Sequence, residues 1–171
     1  RFRAAIGAGV FGNRRPLYSS AKLDSSTEKR DVTGAGELAI PVGHDVQTEV
    51  DYIQLRSGPA VIAEIAAVPG EIYPELVNGG ISRYGGADYP DAPLEPALRK
   101  NFRSHYQFVF GLANDELGYL IPKAEWDSQP PWLQNRERAW YGEVNSLGAN
   151  AAAAVMSALQ TMIAGLPENK P

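Results

Sequence analysis

Pro59 to Glu71 reads PAVIAEIAAVPGE, and this stretch decides the fold. An apolar run too short for a full-length helix stops abruptly at Pro69-Gly70-Glu71, which predicts a buried strand ending in a tight turn with a carboxylate on it. A second stretch behaves alike. Tyr106 to Ala113 (YQFVFGLA) runs into Asn114-Asp115-Glu116 and then Gly118-Tyr119. Two strands that each end in glycine and polar side chains are the usual way an α/β protein builds a site at the carboxyl ends of its strands. The expected class is α/β, a mixed sheet flanked by helices.

Working outward, Thr48 to Arg56 (TEVDYIQLR) carries β-branched and aromatic residues in alternation. Ser57-Gly58 is a turn signal, so this segment and the Pro59 run predict a hairpin whose second strand is buried on both faces. Glu64 interrupts that second strand, and a buried charge there needs a structural partner. Tyr73 to Val77 predicts a turn or two of helix stopped by Gly79-Gly80, and Ser82 to Pro93 an irregular loop. Leu94 to Phe102 reads as a short helix, with His105 as a strand-entry residue. Ile121 to Trp140 reads as a long loop bearing Trp126, Trp132 and Trp140. Its rings suit either an apolar substrate surface or a lid packed on the core.

The last element is the clearest. Ala151 to Ala164 spaces Val155, Leu159, Met162 and Leu166 along one helical stripe, with Ser146 or Asn150 as its cap and Gly165 at its end. Toward the other terminus, Phe2 to Phe11 has apolar residues near helical spacing, with Gly12-Asn13 as a C-cap and Arg14-Arg15 beyond it. Ser19 to Gly36 reads as a surface loop, with a short strand near Leu17-Tyr18, and His44 as a polar loop residue. The domain layout expected is therefore helix and long loop over 1–46, core strands, site loops and final helix over 47–166, and a tail over 167–171.

Composition bounds the function. The 171 residues suit one domain, at 44% hydrophobic and 21% charged. A net charge of −4 disfavours nucleic acid as the main partner. No apolar run is long enough for a membrane span. With no cysteine and only two histidines, thiolate chemistry is excluded and a hydrolytic triad is hard to assemble. Neither a nucleophile elbow nor a phosphate-binding glycine loop is present. A metal site within the chain would draw on Glu71, the histidines, Tyr119 and the Asp115/Glu116 pair. The chain opens without methionine and runs directly into apparent structure, so it reads as a piece of a longer polypeptide.

Val68-Pro69-Gly70-Glu71, Gly111-Leu112-Ala113-Asn114 and Gly118-Tyr119 occur in an order that resembles the neutral/alkaline ceramidase family. The T-E-V strand before them and the Tyr141-Gly142 segment and long helix after them extend the likeness over Gln47 to Leu166, the C-terminal part of that family's catalytic domain, in a divergent bacterial-type form. The resemblance implies a secreted or periplasmic zinc-dependent amidase whose metal is held by two histidines, a glutamate and a tyrosine, with a serine taking part in the attack. Glu71 and Tyr119 match the glutamate and the tyrosine, and Tyr141 falls near a family tyrosine that meets the substrate carbonyl. His44 and His105 do not sit in the family's histidine motifs, so an upstream segment of the same polypeptide would supply the histidines and serine.

The sequence also departs from the family. Ile72-Tyr73-Pro74-Glu75-Leu76 follows the P-G-E, residues Ile81 to Pro96 are extra, and Leu120-Ile121-Pro122 follows the tyrosine. The substrate is therefore open between a ceramide-like lipid and another amide or ester. The alternative expectation is a non-catalytic lipid- or sugar-binding module that uses Trp126 or Trp132.

Overall fold

The computed structural model describes residues 2–7, 45–138 and 140–166. Its centre is a hairpin. β2 (Asp45–Ser57) and β3 (Ala60–Ala67) pair antiparallel around Gly58, whose φ of 57° is the left-handed conformation that glycine adopts without a steric penalty. A bulge at Leu55/Arg56 shifts the register near the turn. β5 (Tyr106–Phe110) lies parallel to β3, and β1 (Phe2–Gly7) runs antiparallel to β2 on the other side, giving the order β1-β2-β3-β5. The sheet is mixed and helices flank it, so the α/β class holds.

Phe2 to Phe11 does not form a helix where it is described. Its first part is β1, in register with Asp45–Val50. Phe-Arg-Ala-Ala-Ile-Gly fits either period over so short a span, and the unpaired edge of β2 supplies the backbone partners that settle it. Within the 1–46 unit, the helix expected at its start is corrected to a strand over Phe2–Gly7, and β2 begins at Asp45. Arg14-Arg15, the Leu17-Tyr18 strand, the Ser19–Gly36 loop, His44 and the 167–171 tail lie outside the described residues.

Beyond β3 the chain forms the two-residue strand β4 (Glu71–Ile72), then α1 (Pro74–Asn78). Proline suits the first turn of α1, where no N–H partner is needed, and Gly79 at φ 88° ends it. Of the Leu94–Phe102 segment only Leu98–Asn101 is helical, as a 3-10 turn. After β5 come β6 (Tyr119–Leu120), 3-10 turns at Lys123–Glu125 and Leu133–Asn135, the single turn α2 (Tyr141–Val144), and α3 (Ala151–Ala164).

α3 packs on β2 and β1. Its buried stripe is Ala152, Val155, Met156, Leu159 and Ile163. Met162 lies at the margin of the core, so the stripe follows 3.6-residue geometry into Ile163. Under it sit Val50 and Ala66 from the sheet, with Val68, Leu76, Leu98, Phe102, Leu117 and Leu120 from the connections. Glu64 is buried in this face and partnered. Its carboxylate accepts from the Tyr52 hydroxyl and from the backbone N–H groups of Arg103 and Ser104.

The opposite face of the sheet differs. Ile53, Leu55, Tyr106, Phe108 and Phe110 are each about half exposed there, and among the described residues no element covers them. β3 is thus not buried on both faces as its apolar run suggests.

Candidate functional site

The turn Val68-Pro69-Gly70 carries the chain off the end of the main sheet into β4, and a ladder of backbone bonds holds it there. The Leu117 N–H donates to Pro69 O (2.7 Å), the Leu112 N–H to Gly70 O (3.0 Å) and the Glu71 N–H to Gly118 O (3.0 Å). Gly70 permits this approach, since a Cβ on it would meet Gly118 O at 2.5 Å. Gly118 is constrained twice: its φ is 76°, and a Cβ would stand 1.9 Å from Asn145 O. These contacts give the P-G-E and G-Y spacings a physical cause.

β4 and β6 then pair in parallel, with Glu71 opposite Tyr119 and Ile72 opposite Leu120. Two residues 48 positions apart in the numbering become neighbours on one small sheet. The Tyr119 phenol hydrogen-bonds the Glu71 carboxylate, and chiefly for that reason, with some desolvation, its pKa is pushed up to about 12. Tyr119 is fixed between two other rings, edge-on to Tyr73 at 6.1 Å and to Tyr141 at 5.8 Å. Its strand is pinned from behind, where the Tyr119 N–H donates to Asn145 O (2.9 Å) and the Ser146 hydroxyl to Tyr119 O (2.7 Å).

All three residues expected at the site, Glu71, Tyr119 and Tyr141, therefore converge. Glu71 and Tyr141 are exposed and Tyr119 is partly so. The other candidates do not join them. His105 is exposed at the start of β5, at the far end of that strand, with its ring beside Tyr106. Asp115 accepts a 2.6 Å hydrogen bond from buried Thr48, and Asn114 donates to Asp51 (2.9 Å), so this corner ties the loop after β5 back to β2. No group of three or more His, Cys, Asp or Glu residues arranged to hold a metal occurs among the described residues. Glu71 and Tyr119 supply two adjacent oxygen donors on an open surface. They fit as part of a zinc shell, which needs about four ligands, and not as the whole of it.

The tryptophans divide by environment. Trp126 is 3% exposed and packs with Ile121 and Ala149, so it is core and not a binding surface. Trp132 is half-buried. Trp140 is the exposed one, with the Arg136 guanidinium stacked on its ring at 3.9 Å. Arg136 is itself anchored by an ion pair to buried Asp127 and by its Nε–H to Leu133 O (2.9 Å). A shallow cavity of about 380 Å³ lies here, lined by Asn135, Arg136, Glu137, Arg138, Trp140 and Tyr141. Tyr141 thus belongs to both the ring cluster and this cavity. Sequence reading grouped Trp140 with the other two loop tryptophans and passed over Arg136, although that cation lies only four positions before it.

Below the site, Glu143 is buried. Desolvation, reinforced by the charge of Asp127, outweighs nearby backbone donors and Arg136 and pushes its pKa up to about 7.

Compared with known proteins, the chain matches no family model, no curated protein and no solved structure.

Proposed function

We propose that this chain is part of a zinc-dependent hydrolase of amide bonds, of ceramide-like lipids or of another amide or ester, acting outside the cytosol. The pairing of Glu71 with Tyr119 in one register position, with Tyr141 against the Tyr119 ring, carries the reading. The ordered motifs that resemble the ceramidase family support it. Glu71 and Tyr119 would hold the ion, and an upstream segment of the same polypeptide would bring the nucleophile and the nitrogen ligands. A zinc ion held there would supply Lewis-acid polarisation of the substrate carbonyl. Glu71 accepts the hydrogen bond of the Tyr119 phenol, which sets the two oxygens side by side. Tyr73 and Tyr141 fix the phenol ring from both sides, and Tyr141 presents an exposed hydroxyl that can donate to a carbonyl oxygen.

The test is zinc content of the polypeptide carrying its upstream segment, measured beside this chain alone and a Glu71→Ala variant of the longer form. One zinc per molecule is expected only in the unsubstituted longer form, with amidase or esterase activity lost at least 100-fold in the variant. A Glu71→Ala enzyme with full zinc and activity would sink the assignment.

The second reading is a metal-free lipid- or sugar-binding module. The exposed Trp140 and Tyr141 at the cavity favour it, whereas buried Trp126 removes the surface first expected to serve it. It requires ligand binding that survives a chelator and is lost in Trp140→Ala.

A further inference from the structure

Arg136, Trp140 and Tyr141 form a shelf along the cavity of about 380 Å³, and Asn135, Glu137 and Arg138 complete its lining. The shelf is built outward from the core. Asp127, only 1% exposed, holds the Arg136 guanidinium in an ion pair, and Leu133 O accepts from the Arg136 Nε–H at 2.9 Å. The Leu133 N–H donates to the same Asp127 carboxylate (2.9 Å), so the turn and the arginine share one buried anchor. Fixed in this way, the guanidinium lies 3.9 Å from the centre of the Trp140 ring and covers one face of it. Trp140 is nevertheless 47% exposed, and the surface it offers to water is its other face and edge.

The backbone at the rim is strained. Gln134 and Asn135 are consecutive residues at φ 60° and 53°, in the left-handed region that residues other than glycine seldom adopt. Such residues persist where their surroundings hold them, and they gather at ligand sites. Here they place Asn135 on the cavity wall with Trp140.

The lining selects a chemistry. Asp127 neutralises Arg136 and Glu137 offsets Arg138, so the cavity has no net charge with which to favour a phosphate or a carboxylate. A cationic ligand is disfavoured too, because the indole already carries a guanidinium on its inner face. An acyl chain would leave most of its length in water on so shallow a surface. What fits is a neutral ligand with an apolar face for the ring and hydroxyl groups around its edge. Asn135, Glu137, Arg138 and Tyr141 mix donors with acceptors, and a hydroxyl group, being both, can answer either. A pyranose with equatorial hydroxyls has that form. Its axial C–H bonds make a flat apolar face that meets the electron-rich face of an indole.

We infer that the shelf is a saccharide subsite, seating one gluco-configured pyranose ring on the outer face of Trp140 with its hydroxyls toward Asn135, Glu137, Arg138 and Tyr141. The inference rests on the binding-module reading, narrows its ligand from lipid or sugar to sugar, and requires no metal. Tyr141 also meets the Tyr119 ring at 5.8 Å, so a sugar held here stands beside the Glu71–Tyr119 pair.

The chain's three tryptophans give three indole N–H signals in the NMR spectrum of the intact, isotope-labelled protein. Cellotetraose and chitotetraose serve as probes, each raised to about 10 mM, which detects any Kd of millimolar or tighter. At least one should move the Trp140 signal saturably, leave that of buried Trp126 in place, and do so equally with a chelator present. Trp140→Ala should weaken binding at least tenfold, whereas Trp140→Phe, which keeps a ring, should cost less than about threefold. A Trp140 signal that neither sugar moves would overturn the inference, and so would binding that survives Trp140→Ala. Phosphatidylcholine vesicles separate this inference from the reading beneath it. Vesicles bound through Trp140 with no response to either sugar would end the saccharide assignment and keep a binding module, whereas no response to sugar or vesicle would end both.

Discussion

At the scale of single residues, two buried glutamates behave in opposite ways. Glu64 has three donors on its carboxylate; Glu143 sits where burial dominates. With a folded pKa near 7 against 4.5 for an ordinary carboxylate, Glu143 costs the fold nothing while protonated. Its contribution is fully favourable below about pH 4.5 and is lost as the pH rises through 7, where ionisation inside the protein costs up to about 3 kcal/mol. Glu143→Gln should therefore leave stability nearly unchanged at pH 5 and raise the melting temperature by several degrees at pH 8. Thermal unfolding at both pH values checks this; equal shifts at pH 5 and pH 8 would mean that the carboxyl does not titrate in the fold. Its burial was not legible, because α2 is one turn long and nothing local says which way Glu143 points. Glu64 was legible, since an acid inside an apolar strand must be partnered.

Among elements, the join between β3 and β5 depends on Glu64. A parallel pair needs a long crossover, and the turn that delivers β5 is held to β3 by Glu64 accepting from the Arg103 and Ser104 N–H groups. Burial alone would raise the Glu64 pKa, but Tyr52 and these backbone donors outweigh it and hold it below the usual carboxylate value. Its stabilisation is present above about pH 4.5 and is lost as the pH falls through the depressed folded value. Glu64→Ala should cost about 3 kcal/mol at pH 7, since two buried N–H groups lose their acceptor. Glu64→Gln should cost less, and its deficit should shrink below pH 4. Urea unfolding of the three proteins at pH 7 and pH 3.5 measures both effects, and a Gln variant as stable as wild type at pH 7 would remove the charge from the account. The same element scale explains the error at Phe2–Gly7. Six residues fit two periods, and the deciding partner, β2, lies some forty residues on. The β4–β6 pairing was equally beyond local reading: the P-G-E and G-Y turns could be seen, but the register that sets Glu71 against Tyr119 comes from glycine contacts between distant turns.

Across the whole molecule, two kinds of cohesion divide the chain. The hairpin and α3 share an apolar core around Val155, Met156 and Leu159. The loops Ser82–Glu95 and Lys123–Arg136 are tied together by carboxylates that accept backbone N–H groups: Glu125 from Ser82 (2.6 Å), Glu95 from Lys123 (3.3 Å), Asp127 from Leu133 (2.9 Å), and Asp88 from both Ser128 (2.8 Å) and Gln129 (3.3 Å). Such bonds contribute about 1.5–3 kcal/mol each and can open one at a time, whereas the apolar core opens only with the fold. Native-state hydrogen exchange should therefore show α3, β2 and β3 protected to nearly the global unfolding free energy, with the Ser128, Gln129 and Leu133 amides exchanging through smaller openings. Asp88 also accepts from the Ser128 hydroxyl (2.8 Å), so Asp88→Ala removes three bonds at once. That variant should speed exchange across 128–133 at least tenfold and leave α3 protection unchanged. If α3 protection fell in parallel, the loop and the core would be one cooperative unit, and the shelf of Trp140 and Tyr141 beside the site would be as rigid as the sheet.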